Sequence, residues 1–220
     1  QMCIRDRVYR VKKMNIEEVA SPIDLKDPQE ALQWANEANI KRPWRYEFFD
    51  LYVNKIKSLN KENIHVLEIG SGPGFLAQHL LQHCPKIQYT AVDFSQAMHE
   101  LSKAKLLSEQ LKRVEYRIAD FKQTDWFTDL GQFDVVIIHQ ALHELRHKAY
   151  ATIFHKQVGT LLNKDAVYLV CDHVFALDAM QNNQLYMSTS EHFQSLEDAE
   201  YTNVELIKDY KGLCLFECKL

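Results

Sequence analysis

Three glycines spaced two apart, Gly70, Gly72 and Gly74, follow an acid at the end of an apolar run in VLEIGSGPGFL (residues 66–76). Glycine lets a backbone turn sharply and approach a ligand closely, and the free amides at the start of a following helix favour negative charge. A nucleotide-like ligand is therefore implied. The spacing, E-x-G-x-G-x-G counted from Glu68, departs from the dinucleotide fingerprint G-x-G-x-x-G, because Phe75 stands where the third glycine belongs. Asp93, at the end of the next apolar run (TAVDFS), lies about 20 residues beyond the loop, where Rossmann-like folds place a carboxylate on ribose hydroxyls. A second string, HELRH at 143–147, formally satisfies the zinc-hydrolase pattern H-E-x-x-H. That chemistry needs both histidines one helical turn apart on one face, a third ligand, and a glutamate that activates water. Here the string directly follows a strand-like run, and Tyr150 and Ile153 replace the glycine and histidine of the longer pattern, so no metal is expected.

Elements must hold these residues in place. Short apolar, β-branched runs at 64–69, 87–92, 113–118, 133–138 and 166–171, most followed by a loop and an amphipathic stretch, predict repeated strand–helix units. Strands apolar at nearly every position suit a mainly parallel sheet buried on both faces. Helices are expected earlier, at about 28–39 and 43–59, the second opening on Pro43, a residue that fits a first turn. Strand-like runs at 202–209 and 212–219 are joined by so short a link that they must be antiparallel, because parallel neighbours need a long crossover. Seven strands result, one of them reversed.

Bulk properties narrow the class. The chain has 220 residues, 46% hydrophobic and 25% charged, which fits one self-folding α/β domain. A net charge of −4 and a pI near 6.2 speak against a polyanionic partner, since phosphate binding needs clustered Lys and Arg. No run approaches the length of a membrane span and none resembles a signal peptide, so a cytoplasmic protein is expected, with no nucleic-acid or membrane partner. Four cysteines outside the first residues, Cys84, Cys171, Cys214 and Cys218, form no CxxC pair and read as buried thiols. One codon choice for QMCIRDR (1–7) resembles a transposase adapter used in sequencing-library preparation. Residues 1–13 are therefore expected to be a non-native extension and Met14 the natural start, which leaves 14–220 as one domain.

Taken in order, VLEIGSGPGFL, TAVDFS, IADF (118–121) and FDVVIIHQ (133–140) resemble the motifs of class I S-adenosylmethionine-dependent methyltransferases of the small-molecule type, over about residues 40–220. The resemblance implies a Rossmann-like, seven-stranded, mainly parallel sheet with a C-terminal antiparallel hairpin and helices on both faces. It implies S-adenosylmethionine as cofactor, with Glu68, Gly70, Gly72 and Gly74 around its methionine part. Asp93 and Phe94 would hold the ribose side, Asp120 and Phe121 the adenine side, and His139 and Gln140 would face the methyl group. HQALHEL (139–145) resembles the strand-four exit of small-molecule methyltransferases. The catalytic His-Asp pair of plant-type O-methyltransferases would fall there on His143 and Glu144, with His139 beside them.

Methyl transfer is an in-line displacement, and a hydroxyl nucleophile gains from losing its proton as it attacks, so a base oriented by a carboxylate is chemically sensible. A packing histidine at a helix start is the competing reading of His143. Two turns depart from the family pattern, before strand five (LLNKDAVYLV) and before strand six (DAEYTNV). Arg42, Trp44, Arg45 and Tyr46 read as a solvated helix start in preference to a cofactor contact. His173, Asn183, Tyr186 and Met187 lie on a segment that either closes over substrate or simply connects. The expected function is methyl transfer to a small-molecule acceptor, through oxygen. The alternatives are a non-catalytic S-adenosylmethionine-binding protein and a nucleic-acid methyltransferase, the latter disfavoured because HQAL replaces the [DN]PP[YFW] that holds an extruded adenine.

Overall fold

A computed structural model describes residues 16–220. The expectations for residues 1–13 and for Met14 lie outside the described residues. Helix α1 (Pro28–Lys41) starts where Asp27 accepts the amides of Gln29 and Glu30 and Pro28 pre-sets the first turn, and it buries Ala31, Ala35 and Ala38. The second expected helix divides: Pro43–Arg45 is a tighter 3-10 turn, and α2 proper is Tyr46–Ser58. Such turns are common at helix starts, where the first amides have no intrahelical partner. Phe48, Phe49, Tyr52, Val53 and Ile56 recur on one face of α2 and are buried.

Seven strands follow: β1 (Ile64–Ile69), β2 (Ile87–Asp93), β3 (Val114–Ile118), β4 (Phe133–His139), β5 (Leu162–His173), β6 (Thr202–Tyr210) and β7 (Leu213–Lys219). They form one sheet in the order β3-β2-β1-β4-β5-β7-β6, with β7 the reversed strand. The Rossmann-like sheet and its terminal hairpin are thus as the sequence implied. The intervening helices are α3 (Phe75–His83), α4 (Gln96–Lys105), α5 (Ser108–Leu111), α6 (Ala151–Gly159) and α7 (Thr189–Glu197). β5 begins earlier than expected, because Leu162 pairs with Phe133 before the register shifts to Val167 opposite Val135.

The period-two alternation of strand side chains divides the core into two layers. Leu67, Ile69, Val136, Ile138 and Val170 pack with Phe154 and Val158 of α6 and Leu196 of α7. Val66, Val135, Ile137, Val167 and Leu169 pack with Phe48 and Tyr52 of α2 and Leu76 and Leu80 of α3. Truncating a fully buried member such as Ile137 to alanine would cost about 2–5 kcal/mol. The four cysteines are buried free thiols. Strand order reverses between β1 and β4, and ligands of open α/β sheets bind in the crevice beyond the carboxyl ends at such a point. The glycine loop leaves β1 there, and the HQALHEL segment leaves β4.

Candidate functional site

The chain turns out of β1 through Gly70 and Gly72, at φ of 71° and 53°, a region that side-chain-bearing residues seldom adopt. A Cβ on Gly70 would collide with the methyl of Ala141, just past β4, so the loop and the β4 exit meet at a distance only glycine permits. Gly74 serves another purpose. A Cβ there would collide with Ser102 of α4, so this glycine lets α3 and α4 approach, and it does not line the cleft. The amides of Gly70 and Ser71 donate to the carbonyl of Val92 at 2.8 and 3.0 Å, tying the loop to β2. Asp93 completes the tie: Oδ2 accepts from the amide of Gly72 (2.7 Å) and Oδ1 from that of Ser95 (2.9 Å). Burial pushes the Asp93 carboxyl up to about 6, against the lowering effect of these amides. Burial likewise pushes Glu68 up to about 8, with the Tyr89 hydroxyl donating to it at 2.5 Å.

Between loop and β4 exit lies a cleft enclosing about 810 Å³ of atom-free space, part of it continuous with solvent. Its lining brings together Glu68, Gly70, Gly72, Asp93, Phe94, Phe121, His139, Gln140, His143 and Glu144 of the residues singled out in the sequence. Asp120 is not in the lining; its Oδ1 accepts the amide of Lys122 and shapes the turn after β3, while Phe121 faces the cleft. Ile23, Leu25 and Trp34 add an apolar wall from the N-terminal side. That strap is fixed by Arg146, which donates to the carbonyls of Val19 (2.8 Å) and Ala20 (2.7 Å), and by Ser95, whose hydroxyl donates to the carbonyl of Leu25.

Arg45 corrects the expectation of a solvated helix start. It is 4% exposed and lines the cleft. Its Nη2 donates to Gln140 Oε1 at 3.2 Å and its Nη1 to Asn39 Oδ1 at 3.5 Å, while Nε has no partner. Burial lowers its pKa to about 10, so it stays charged at neutral pH, with amide oxygens as its hydrogen-bond partners and Glu68 near enough to act on its charge. A buried cation of this kind favours an anionic ligand. Gln140 sits at φ 54° and its side chain links Arg45 to His173, with Nε2 to Nε2 at 2.9 Å. His139 is buried, bonds Tyr52 Oη through Nδ1 at 2.9 Å, and burial drives its pKa to about 3, so it is neutral.

His143 lies in a 3-10 turn, Leu142–Leu145, ended by Arg146 at φ 64°. Arg146 therefore interrupts the helical spacing that two metal-binding histidines would need. His147 Nδ1 instead accepts the amide of Ala149, and among the described residues no three His, Cys, Asp or Glu side chains converge on a metal position. The carboxylate closest to His143 is Asp172, at the end of β5. Its Oδ1 lies 2.7 Å from His143 Nδ1, and its Oδ2 accepts the His143 amide at 2.7 Å. Glu144, the partner expected from the resemblance, stands 3.5 Å from Nε2 and pairs with Arg146 at 3.3 Å. Adjacent positions on a tight turn diverge, whereas β4 and β5 are neighbours in the sheet. Burial alone would lower the His143 pKa, but the charge and hydrogen bond of Asp172 outweigh it and hold the pKa above its usual value. Tyr186 packs on the His143 ring with centroids 5.3 Å apart, and His173 lies 6.1 Å from it; Asn183 and Met187 are not in the cleft lining.

The lining suits a ligand with an acidic group, a pair of hydroxyls and a flat apolar base: a buried guanidinium, a buried carboxylate with unused lone pairs, and the faces of Phe94 and Phe121. The buried Ser71 hydroxyl and His139 Nε2 also lack protein partners. S-adenosylmethionine has those groups. Residues 66–164 match the family model described as a methyltransferase domain. Residues 66–164 thus carry a methyltransferase domain, set on a Rossmann-like sheet that is similar to those of solved S-adenosylmethionine-dependent methyltransferases.

Among curated relatives, the malonyl-[acyl-carrier protein] O-methyltransferase of Priestia megaterium is 34% identical over 107 residues, 46% of this chain and 36% of that protein. The EEF1A lysine methyltransferase 2 of Danio rerio is 32% identical over 98 residues, 41% of this chain and 42% of that protein. The chain thus spans well under half the length of these relatives. Solved structures show the same fold. The DhpI complex with SAH superposes with a TM-score of 0.66 at 19% identity, covering 88% of this chain and 95% of that one. An O-methyltransferase family protein from Burkholderia thailandensis gives 0.70 at 15% identity, covering 87% and 60%. Among the described residues no helix is long and apolar enough to cross a membrane.

Proposed function

We propose that this protein transfers the methyl group of S-adenosylmethionine to a hydroxyl oxygen of a small molecule, with His143 as the base. The observation that carries this reading is the His143–Asp172 pair, whose histidine lines the cleft beside Ala141 and the glycine loop while Asp172 holds it from behind. The cofactor supplies a methyl group on a positively charged sulfur. Arg45 would bind its carboxylate, Asp93 would accept from its ribose hydroxyls, and Phe94, Phe121 and Met98 of α4, which also lines the cleft, would cover its base. Asp172 holds Nδ1 of His143, which fixes the tautomer that leaves Nε2 to take the acceptor's proton. Neutral His139 and the Gln140 amide bound the space in which the acceptor oxygen approaches. A small acceptor is supported by a cleft bounded by the glycine loop, the β4 exit and the N-terminal strap, and by the absence of a basic tract in the sequence. Support for oxygen comes from the O-methyltransferases among the relatives and fold neighbours.

The test is incubation of the purified protein with S-adenosylmethionine and a fractionated metabolite extract. Release of S-adenosylhomocysteine and a product heavier by one methylene, with its methyl located on oxygen by fragmentation, is the expected result. His143→Ala should then lower turnover by about 10²–10⁴ and leave cofactor affinity nearly unchanged, as positioned proton transfer contributes that much. Turnover per folded molecule equal to wild type would make His143 a packing residue. Cofactor binding without consumption across all fractions would favour a binding protein.

A further inference from the structure

Helix α7 carries a buried titratable group that the reaction described above does not use. His192 is 1% exposed and stacks on Phe216 with centroids 5.0 Å apart, and neither ring nitrogen has a hydrogen-bond partner in the protein. A neutral imidazole brings one donor and one acceptor, and interiors seldom leave both unmet. Next to it lies a small cavity, with room for the centre of a water-sized sphere over about 10 Å³, lined among others by His143, Lys148, Asp172, Tyr186 and His192. A buried water needs a space of about that size and two or more polar partners. Asp172 has one to offer. Its Oδ1 already accepts from His143 Nδ1 and the His173 amide, whereas Oδ2 accepts only the His143 amide.

We propose that one water molecule is held in this cavity between His192 and Oδ2 of Asp172, and that His192 thereby acts as a positioning residue for the His143–Asp172 pair. The charged side chains nearest the cavity are paired with one another. Lys148 pairs with Glu191 at 2.5 Å, Glu191 also accepts the amide of Ser188, and Glu144 pairs with Arg146. His155, which faces His192 from α6, bonds Tyr168 Oη through Nδ1, has no protein partner at Nε2, and is kept neutral by burial. Burial keeps His192 neutral at physiological pH. A neutral donor aimed through water at Asp172 turns the positive end of a dipole toward His143. It therefore disfavours the imidazolium and keeps more of His143 in the form that can accept a proton.

The catalytic meaning of this arrangement rests on His143 being the base, but its test does not need an acceptor. The His143 ring is titrated by heteronuclear NMR in the full chain, with and without S-adenosylmethionine. His192→Phe should raise the His143 midpoint by about half a pH unit or more, with the affinity for S-adenosylmethionine unchanged. His192→Gln and His192→Asn keep an N–H near one imidazole nitrogen position each, and at least one should return the midpoint toward wild type. Wild-type crystals diffracting well enough to show ordered waters should place one within hydrogen-bond distance of both His192 and Asp172. An unchanged midpoint in folded His192→Phe, or no water at His192 in such crystals, overturns the proposal. If His192→Phe does not fold, the wild-type water and the two amide variants decide it. Failure to methylate any substrate leaves these readouts intact, so the two readings fail separately.

Discussion

Replacing Asp172 by asparagine removes one charge from the buried pair while keeping its shape, and its cost can be worked from the contacts. Asp172 accepts His143 Nδ1 at 2.7 Å and the amides of His143 and His173 at 2.7 and 2.8 Å. A hydrogen bond between charged partners contributes about 1.5–3 kcal/mol, and breaking a buried ion pair costs about 3–5 kcal/mol. Asparagine keeps an oxygen for one amide, and His143 can shed its proton, so the lower end, about 3 kcal/mol, is expected. The loss depends on pH. Burial would lower the His143 pKa, but Asp172 raises it; burial would raise the Asp172 pKa, but His143 holds it down. The raised histidine contributes stability fully present below its unfolded pKa of about 6.5 and lost as pH climbs through the folded value. The depressed carboxyl contributes stability present above about 4 and lost as pH falls through its folded value. Wild type and variant should thus differ most between about pH 4 and 6.5 and converge on either side. Urea unfolding followed by circular dichroism from pH 3 to 9 measures this. A difference flat in pH, or smaller than about 1 kcal/mol throughout, would refute the buried ion pair.

Asp93→Ala should weaken S-adenosylmethionine binding tenfold or more, since each hydrogen bond lost is worth about 1–3 kcal/mol. Because burial raises that carboxyl to about 6, wild-type affinity should also fall as pH drops below that value; calorimetry at pH 5 and pH 8 giving equal affinities would remove Asp93 from the site. Gly70→Ala forces a side chain into φ 71° and against Ala141, so a loss of about 1–3 kcal/mol and of cofactor binding is expected, and an unchanged melting curve would contradict the close approach. Deleting residues 1–13 should leave melting temperature and cofactor affinity as they were, and a clear fall in either would show that the segment belongs to the fold.

Strands buried on both faces announce themselves, which is why Ile64–Ile69 is bounded in the structure as it is in the sequence. The start of β5 was not legible, because Asn163, Lys164 and Asp165 are polar and join the strand only through an irregular pairing with β4. The glycine loop and Asp93 could be read from spacing alone, since local backbone geometry dictates both. The partner of His143 could not. Asp172 lies 29 residues away, and only the adjacency of β4 and β5 makes them neighbours. An acid closing an otherwise apolar strand, YLVCD, was the available signal. Arg45 misled for the opposite reason: Arg-Pro-Trp-Arg-Tyr reads as solvated, and its burial follows from how α2 docks beside the β4 exit, where Gln140 meets the guanidinium.

The reversed strand has a consequence for how the molecule comes into being. β7 lies between β5 and β6, so β6 is synthesised before it yet can reach the sheet only through it. Every residue lining the cleft lies at or before Glu144, and Asp172 arrives with β5. A nascent chain that has emerged through α7 can therefore already assemble five parallel strands and a formed site, while β5 presents a bare edge along Tyr168–His173. Such an edge is a template for any other strand, including that of a second nascent chain. Arrival of Leu213–Lys219 closes it, which makes those few residues the guard against misassembly of a domain whose chemistry they never touch.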